Sequence, residues 1–286
     1  MTRFSTALVT DSTCDLPAEL RDLYDISVVP LSVIWGTEQL RDGVDIQAEA
    51  FYRRLVSDPV YPTTSQPAPK DFLDVYQAQR ERGADEILVL TISAAMSGTY
   101  ESAKMAAEMI DMPVRVVDSR ANSMSLGWQI LAAARARESG ADINTMIAAA
   151  DDVRGRLVYL IALDTLEYLH RGGRIGGASA FIGNLLNLKP QIHVNHETGQ
   201  VEAGKRTRTR KKALEALYQD FFAQVGAGDS LRIAVLHNAA LEDTQAMAER
   251  VQREFSPAEL LISIVSPVLG VHTGPRAISL CGYAAG

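Results

Sequence analysis

Short, nearly continuous apolar runs recur along the first 160 positions, and segments patterned at helical spacing lie between them. Residues 6–9, 28–34, 87–92, 114–117 and 157–162 are the runs, and such continuity predicts strands of a sheet covered on both faces. Over 69–82, Phe72, Val75 and Tyr76 share one helical face, with Gly83 as the stop. Over 99–110, Ala103, Ala106, Ala107 and Ile110 recur at helical spacing, and a further helix over 125–139 stops at Gly140. Strands alternating with helices of this length predict an α/β domain with a mainly parallel sheet.

Beyond about residue 160 the texture changes. A short helix over 164–170 runs into Arg171-Gly172-Gly173-Arg174, and 178–188 reads as another. Residues 191–194 and 200–203 flank His196-Glu197-Thr198-Gly199 as a hairpin. A helix over 211–225, a strand over 232–236, a helix over 242–255 and a strand over 260–265 follow. The pattern predicts a second α/β domain with some antiparallel pairing, which places the domains at 1–160 and 161–286. No internal repeat is present.

Composition narrows the class. The 286 residues are 47 % hydrophobic and 22 % charged, ordinary globular usage with enough apolar material for real cores. A net charge of −7 argues against a generic nucleic-acid binder. Cys14 and Cys281 lie far apart, the first residues lack a secretory apolar core, and no run approaches the ~20 apolar residues of a membrane span. The expectation is a cytoplasmic protein with reduced thiols, which carries any lipid inside itself.

Three polar clusters stand at what read as strand-to-helix corners. They are Thr63-Thr64-Ser65-Gln66-Pro67, Ser93-Ala94-Ala95-Met96-Ser97-Gly98-Thr99 and His272-Thr273-Gly274-Pro275. Helix starts leave N–H groups unpaired and favour an anion, and the hydroxyls add donors. Simple N-capping explains the same residues equally well. Ser97 is placed like a nucleophile but lacks the first glycine of G-x-S-x-G. A triad with His272 and Asp11 or Asp118 makes a serine hydrolase of acyl esters the alternative reading.

Asp11, Asp15, Asp42 and Asp45 lie near strand ends without any metal-site spacing, so capping and turns are their expected roles. No Walker A sequence occurs, and the glycine-rich stretch from Gly172 to Gly177 follows a helix pattern, which makes it a poor dinucleotide fingerprint. Cys14 has no basic neighbour in sequence and reads as a structural thiol. The basic run 205–212, with Arg206, Arg208, Arg210 and Lys211, is either a solvated face or a docking patch for an acidic or phosphate-bearing partner. It lacks the interleaved aromatics of a single-strand binder. Met96, Phe181, Ile182, Leu185 and Leu186 are candidate walls of an apolar tunnel, or ordinary core.

Taken in order, eight segments carry a resemblance. They are Val9-Thr10-Asp11-Ser12-Thr13-Cys14-Asp15-Leu16-Pro17, Arg41-Asp42-Gly43-Val44-Asp45, Thr64-Ser65-Gln66-Pro67 and Ser97-Gly98-Thr99-Tyr100. Val117-Asp118-Ser119-Arg120, Gly172-Gly173-Arg174-Ile175, Leu188-Lys189-Pro190 and His272-Thr273-Gly274-Pro275 complete the set. The chain resembles the DegV family of bacterial fatty-acid-binding proteins, which includes the FakB subunits of fatty acid kinase. The resemblance implies a two-domain α/β fold with one long-chain fatty acid, such as palmitate, buried between the domains and no other cofactor. It implies a carboxylate held by Thr64 and Ser97, with His272 in the same network and Ser65, Gly98 and Thr99 alongside. It also implies a carrier rather than an enzyme acting alone. That carrier presents its ligand to a separate kinase subunit for acyl-phosphate formation and phospholipid synthesis. Arg206, Arg208, Arg210 and Lys211 are the implied docking residues for that subunit or for a transient membrane contact. Two positions depart from the family pattern: Arg276 follows Pro275 where the family has glycine, and Ala94 follows Ser93 where it often has serine. Arg276 therefore joins the candidate head-group residues.

Overall fold

A computed structural model describes residues 4–179, 188–226 and 230–285. Its first elements are β1 (Thr6–Asp11), α1 (Ala18–Leu23), β2 (Ile26–Val29), β3 (Ser32–Trp35), β4 (Glu38–Arg41), α2 (Ala48–Ser57) and β5 (Thr63–Ser65). Then come α3 (Pro69–Glu81), β6 (Glu86–Thr91), α4 (Thr99–Ala107), β7 (Val114–Asp118), α5 (Ser123–Glu138) and α6 (Ile143–Arg156). The chain continues with β8 (Val158–Ala162), α7 (Glu167–Arg171), β9 (Lys189–Asn195), β10 (Gln200–Thr207) and α8 (Arg210–Val225). It ends with β11 (Leu231–His237), α9 (Leu241–Phe255), β12 (Glu259–Ile264), α10 (Pro267–Thr273) and β13 (Ile278–Ala284).

Two compact units are interleaved along the chain. One holds the residues up to Ser32, Thr64–Gly155 and His196–Gly199; the other holds Val33–Thr63, Arg156–Asn195 and Gln200 onward. The expected boundary at 160 lies near the passage at Gly155, but segments 33–63 and 196–199 are exchanged between the halves. The expected strand over 28–34 is two strands. Pro30 offers no N–H to a ladder, so β2 ends at Val29 and β3 starts at Ser32. Between them the Leu31 N–H donates to Ser12 Oγ at 3.1 Å.

The first unit is built on a parallel sheet in the order β2-β1-β6-β7. Every residue of β1 is buried, and so is every residue of β6 after the first. Alternation along the strands sends Ala7, Val9, Ile87 and Val89 to one face. There they pack with Phe72 and Tyr76 of α3 and the small Ala103 and Ala106 of α4. The helix α5 packs against β1 and β6 and is buried along most of its length. The sequence pattern gave no sign of α6. It buries only the stripe Ile143, Met146, Ala150 and Val153, and its start is capped by Asp142, which accepts from the Thr145 N–H at 2.8 Å.

The second unit is built on a mixed sheet in the order β10-β9-β8-β13-β11-β12. All neighbours are antiparallel except β11 and β12. The helices α8 and α9 cover it with a core that includes Leu217, Phe221, Val251, Ile233, Val235 and Leu280. The hairpin expected around 196–199 is β9 paired with β10. Its central strand β13 carries Ser279, Cys281 and Gly282 among its apolar residues, which hid it from a reading by apolar runs. The helix expected over 178–188 falls mostly outside the described residues, as do Phe181, Ile182, Leu185 and Leu186.

Candidate functional site

In the first unit, the two hydroxyl-bearing corners meet. Thr64 is half-buried and Ser65 exposed at the end of β5. The next residue, Gln66, reaches across to α4, where its Nε2 donates to Ser102 Oγ at 3.3 Å. It lies so close over Gly98 that a Cβ there would overlap its amide. Ser97 and Thr99 share a hydrogen bond of 2.8 Å between hydroxyls, and the Thr99 N–H donates to Ser97 Oγ at 3.3 Å. Thus Ser97 stands just before α4, whose N-cap is Gly98, and its hydroxyl takes the N–H of the first helical residue. The structure therefore groups Ser65, Ser97, Gly98 and Thr99 with Gln66, a residue that the sequence reading did not single out. Its signal was the glycine after Ser97, legible only once the fold sets Gln66 against it.

The carboxyl ends of β1 and β6 mark the topological switch of this sheet, where open α/β sheets commonly bind ligands. Here the protein fills that place itself. Asp11 Oδ2 accepts from the Ile92 N–H at 2.7 Å, and Oδ1 accepts from the Thr13 N–H at 3.0 Å and its hydroxyl at 2.6 Å. Burial raises the Asp11 pKa, against the lowering effect of these donors. Residues 196–199 close the same edge. Ser93 Oγ donates to Gly199 O at 2.8 Å, Arg120 to Glu197 O at 3.0 Å, and Ser125 Oγ lies 2.6 Å from His196 Nε2. The other carboxylates also serve turns. Asp15 accepts from Ser123 Oγ at 2.6 Å, and Asp118 from the N–H groups of Ala94 and Arg120 at 3.1 and 2.9 Å. Arg41 holds the Asp45 carboxyl down to about 2 through its side chain and its N–H. Burial pushes the Cys14 thiol up to about 12, which keeps it protonated.

His272 belongs to the second unit, and its setting differs from the expected one. It sits in the last turn of α10, at a helix-to-strand corner, rather than at a helix start. The reason is Ser266-Pro267: the proline occupies the first turn, where its missing N–H costs nothing, so the helix begins there and ends at His272-Thr273. The ring packs over Gly172 at the end of α7, where a Cβ would overlap Nδ1. Tyr168 packs in the same way on Gly274. Gly274 has φ +70 and ψ 177, a conformation restricted essentially to glycine. Tyr61 donates to Val271 O at 2.9 Å and lies 5.7 Å from the Tyr168 ring, centroid to centroid. Burial, and then the nearby charge of Arg174, lower the His272 pKa to about 4, so the ring is neutral at neutral pH.

The basic run divides into two parts. Arg206, Arg208 and Lys211 are exposed, whereas the Arg210 side chain is only 20 % exposed. Arg210 bonds Asp243 at 2.8 and 2.5 Å and donates to the backbone carbonyl of Arg276 at 2.7 Å. Arg276 is exposed.

No hydrogen bond among the described contacts of Ser97 supports the hydrolase alternative. Its hydroxyl bonds Thr99, and the acids considered with it are engaged by backbone N–H groups. Among the described residues no group of three His, Cys, Asp or Glu side chains is placed to hold a metal ion. No helix among them is long and apolar enough to cross a membrane.

A four-stranded parallel sheet, a six-stranded mixed sheet, a three-stranded sheet in the order β4-β3-β5 and donor-lined corners define an α/β protein of two interleaved units. The chain belongs to the DegV family, whose model, described as that of uncharacterised proteins, matches residues 5–285. It is 39 % identical to a DegV domain-containing protein of Streptomyces coelicolor over 276 residues, 96 % of each chain. A Thermus thermophilus DegV family protein described by its fatty acid binding is 36 % identical, with a TM-score of 0.91 over 98 % of this chain and 99 % of its own. DegV of Bacillus subtilis, described as a fatty acid binding protein, is 29 % identical with a TM-score of 0.91, over 99 % of this chain and 100 % of its own.

Proposed function

We propose that this chain binds one long-chain fatty acid and takes its carboxylate with the hydroxyls of Thr64 and Ser97 and the ring of His272. The observation that carries the reading is the full-length likeness to the fatty-acid-binding Thermus thermophilus protein. The local chemistry supports it. A buried carboxylate is costly unless hydrogen-bonded. Ser97 and Thr99 stand at a helix start, with Ser65 and Gly98 beside them, and a neutral imidazole supplies one N–H. A sixteen-carbon tail offers ~14 methylenes at ~0.8 kcal/mol each, roughly 11 kcal/mol before ordering costs. The tail then supplies most of the affinity and the head group sets orientation. At neutral pH His272 works as a hydrogen-bonding group rather than as a cation or a general base.

The finer reading is a carrier that presents the carboxylate to a separate ATP-dependent kinase subunit in the cytoplasm, which forms the acyl phosphate. In that reading the exposed Arg206, Arg208 and Lys211 meet the partner or, transiently, a membrane surface, and Arg210 supports them from within. The test is a fatty-acid titration of delipidated protein. Removing two hydroxyl donors in Thr64→Ala/Ser97→Ala is expected to weaken binding about tenfold or more, at ~0.5–1.5 kcal/mol per hydrogen bond. Unchanged affinity would rule out this head-group assignment. Labelling of Ser97 by a fluorophosphonate probe would instead favour the hydrolase.

A further inference from the structure

The turn after His272 holds one residue in a conformation that its side chain opposes. Arg276 has φ +65, the left-handed region that a long L side chain enters at a cost. The surroundings enforce it. The Arg276 N–H donates to Asn238 O at 2.6 Å, and its carbonyl accepts from Arg210 Nη1 at 2.7 Å. Asn238 Nδ2 also holds Gly274 O and Thr273 Oγ1, each at 2.7 Å. The backbone is thus clamped from both sides, while the Arg276 side chain stays 59 % exposed.

Charge gathers at the same corner. Asp164 Oδ1 lies 2.8 Å from Lys189 Nζ, 3.9 Å from Arg210 Nη1 and 4.0 Å from Arg276 Nε. Asp243 binds Arg210 from the other side. Three cations therefore face two carboxylates, in a chain whose net charge is −7. Arg276 is the outermost of the three, since Lys189 and Arg210 are 26 % and 20 % exposed.

We propose that Arg276, positioned by Arg210 and Asn238, recognises a phosphoryl group beside the His272 corner. A guanidinium fork matches phosphate oxygens in a bidentate fashion, and the ammonium of Lys189 adds a point charge. A phosphoryl group also carries up to two negative charges, which suits a site with surplus positive charge. Two sources share this chemistry: a soluble phosphate compound and an anionic lipid headgroup. The inference rests on the fatty-acid reading only for what lies next to the phosphate.

The experiment uses the full chain in two arms: inorganic phosphate followed by phosphorus NMR line width, and phosphatidylglycerol vesicles followed by co-sedimentation. Wild type, Arg276→Gly, Arg276→Lys, Arg206→Ala/Arg208→Ala and the remote control Lys70→Ala are compared. Arg276→Gly fits the left-handed backbone, so folding is retained, and thermal melts confirm it. Binding in at least one arm is expected to weaken about tenfold in Arg276→Gly, the value of one charge-assisted hydrogen bond. Partial recovery is expected in Arg276→Lys and no change in Lys70→Ala. Loss confined to the phosphate arm identifies a soluble source, and loss confined to the vesicle arm a lipid headgroup. The proposal is overturned if wild type binds neither probe, or if Arg276→Gly binds both as wild type does. It is equally overturned if only Arg206→Ala/Arg208→Ala loses binding. Fatty-acid release from wild type is measured in parallel, so an empty fatty-acid site and a failed phosphate site are separate results.

Discussion

At Ser97 the chain enters a helix; at His272 it leaves one. The first corner offers hydroxyls at a helix start, where an anion is favoured without any charged side chain. The second offers the opposite dipole end, and its cations compensate from the side: burial, and then Arg174, lower the His272 pKa, and Lys189, Arg210 and Arg276 surround Asp164. Both corners rely on a glycine against which a side chain packs. At Gly98 that side chain is the flexible end of Gln66; at Gly172 and Gly274 it is an aromatic or imidazole ring. The same close approach should therefore tune affinity in one place and stability in the other.

The largest expected effect breaks the second corner. Gly274→Ala must place a Cβ in a backbone region restricted to glycine and against the Tyr168 ring. It should destabilise the protein by about 3 kcal/mol or more in urea titration. Gly98→Ala has an ordinary φ of −74, and the atoms nearest its Cβ are those of the Gln66 amide. It should cost under ~1 kcal/mol, because a side-chain rotamer absorbs the overlap, while fatty-acid affinity falls. A larger stability loss in Gly98→Ala than in Gly274→Ala would reverse the comparison.

Next comes pH. Unfolded His272 takes its proton near the ordinary 6.5, the folded ring only near 4. Its contribution is therefore full above about 6.5 and is lost as pH falls towards about 4. In His272→Gln the slope of stability against pH should flatten in that window. An unchanged slope would mean that the ring is not desolvated. A carboxylate bound beside the ring favours the imidazolium, so fatty-acid binding should take up more protons as the pH falls from neutral towards about 4. Calorimetry in buffers of different ionisation enthalpy reads this directly. His272→Ala should also weaken fatty-acid binding at neutral pH, and normal affinity there would remove His272 from the head-group site.

The smallest expected effect is on stability in Arg276→Gly. Relief of the left-handed strain and the added chain entropy of glycine nearly cancel, so the midpoint should move by no more than about 1 kcal/mol. A large loss would show that the guanidinium holds the turn, rather than the turn holding the guanidinium.

The two corners were not equally legible. Around Ser97, strand, loop and helix follow one another in sequence, and the apolar run 87–92 and the alanine stripe after Thr99 mark both borders. The His272 corner is assembled from Tyr61, Tyr168 with Gly172, Asn238 and Arg210, which approach from four separate stretches of chain. No local pattern joins them. The motif His272-Thr273-Gly274-Pro275 pointed to the place, and Ser266-Pro267 was the overlooked sign that a helix precedes the histidine. Interleaving of the units was hidden for a similar reason: Pro30 divides a run that looks like one strand, and a four-residue hairpin tip is too short to carry a domain signature.

The most direct test of the central claim is identification of the lipid that the protein carries. Protein purified under native conditions is denatured, and the released small molecules are analysed by mass spectrometry. A long-chain fatty acid at near one equivalent per chain is the expected result, and it should be reduced in Thr64→Ala/Ser97→Ala. A folded protein that releases no fatty acid, and takes none up when supplied, would contradict the account.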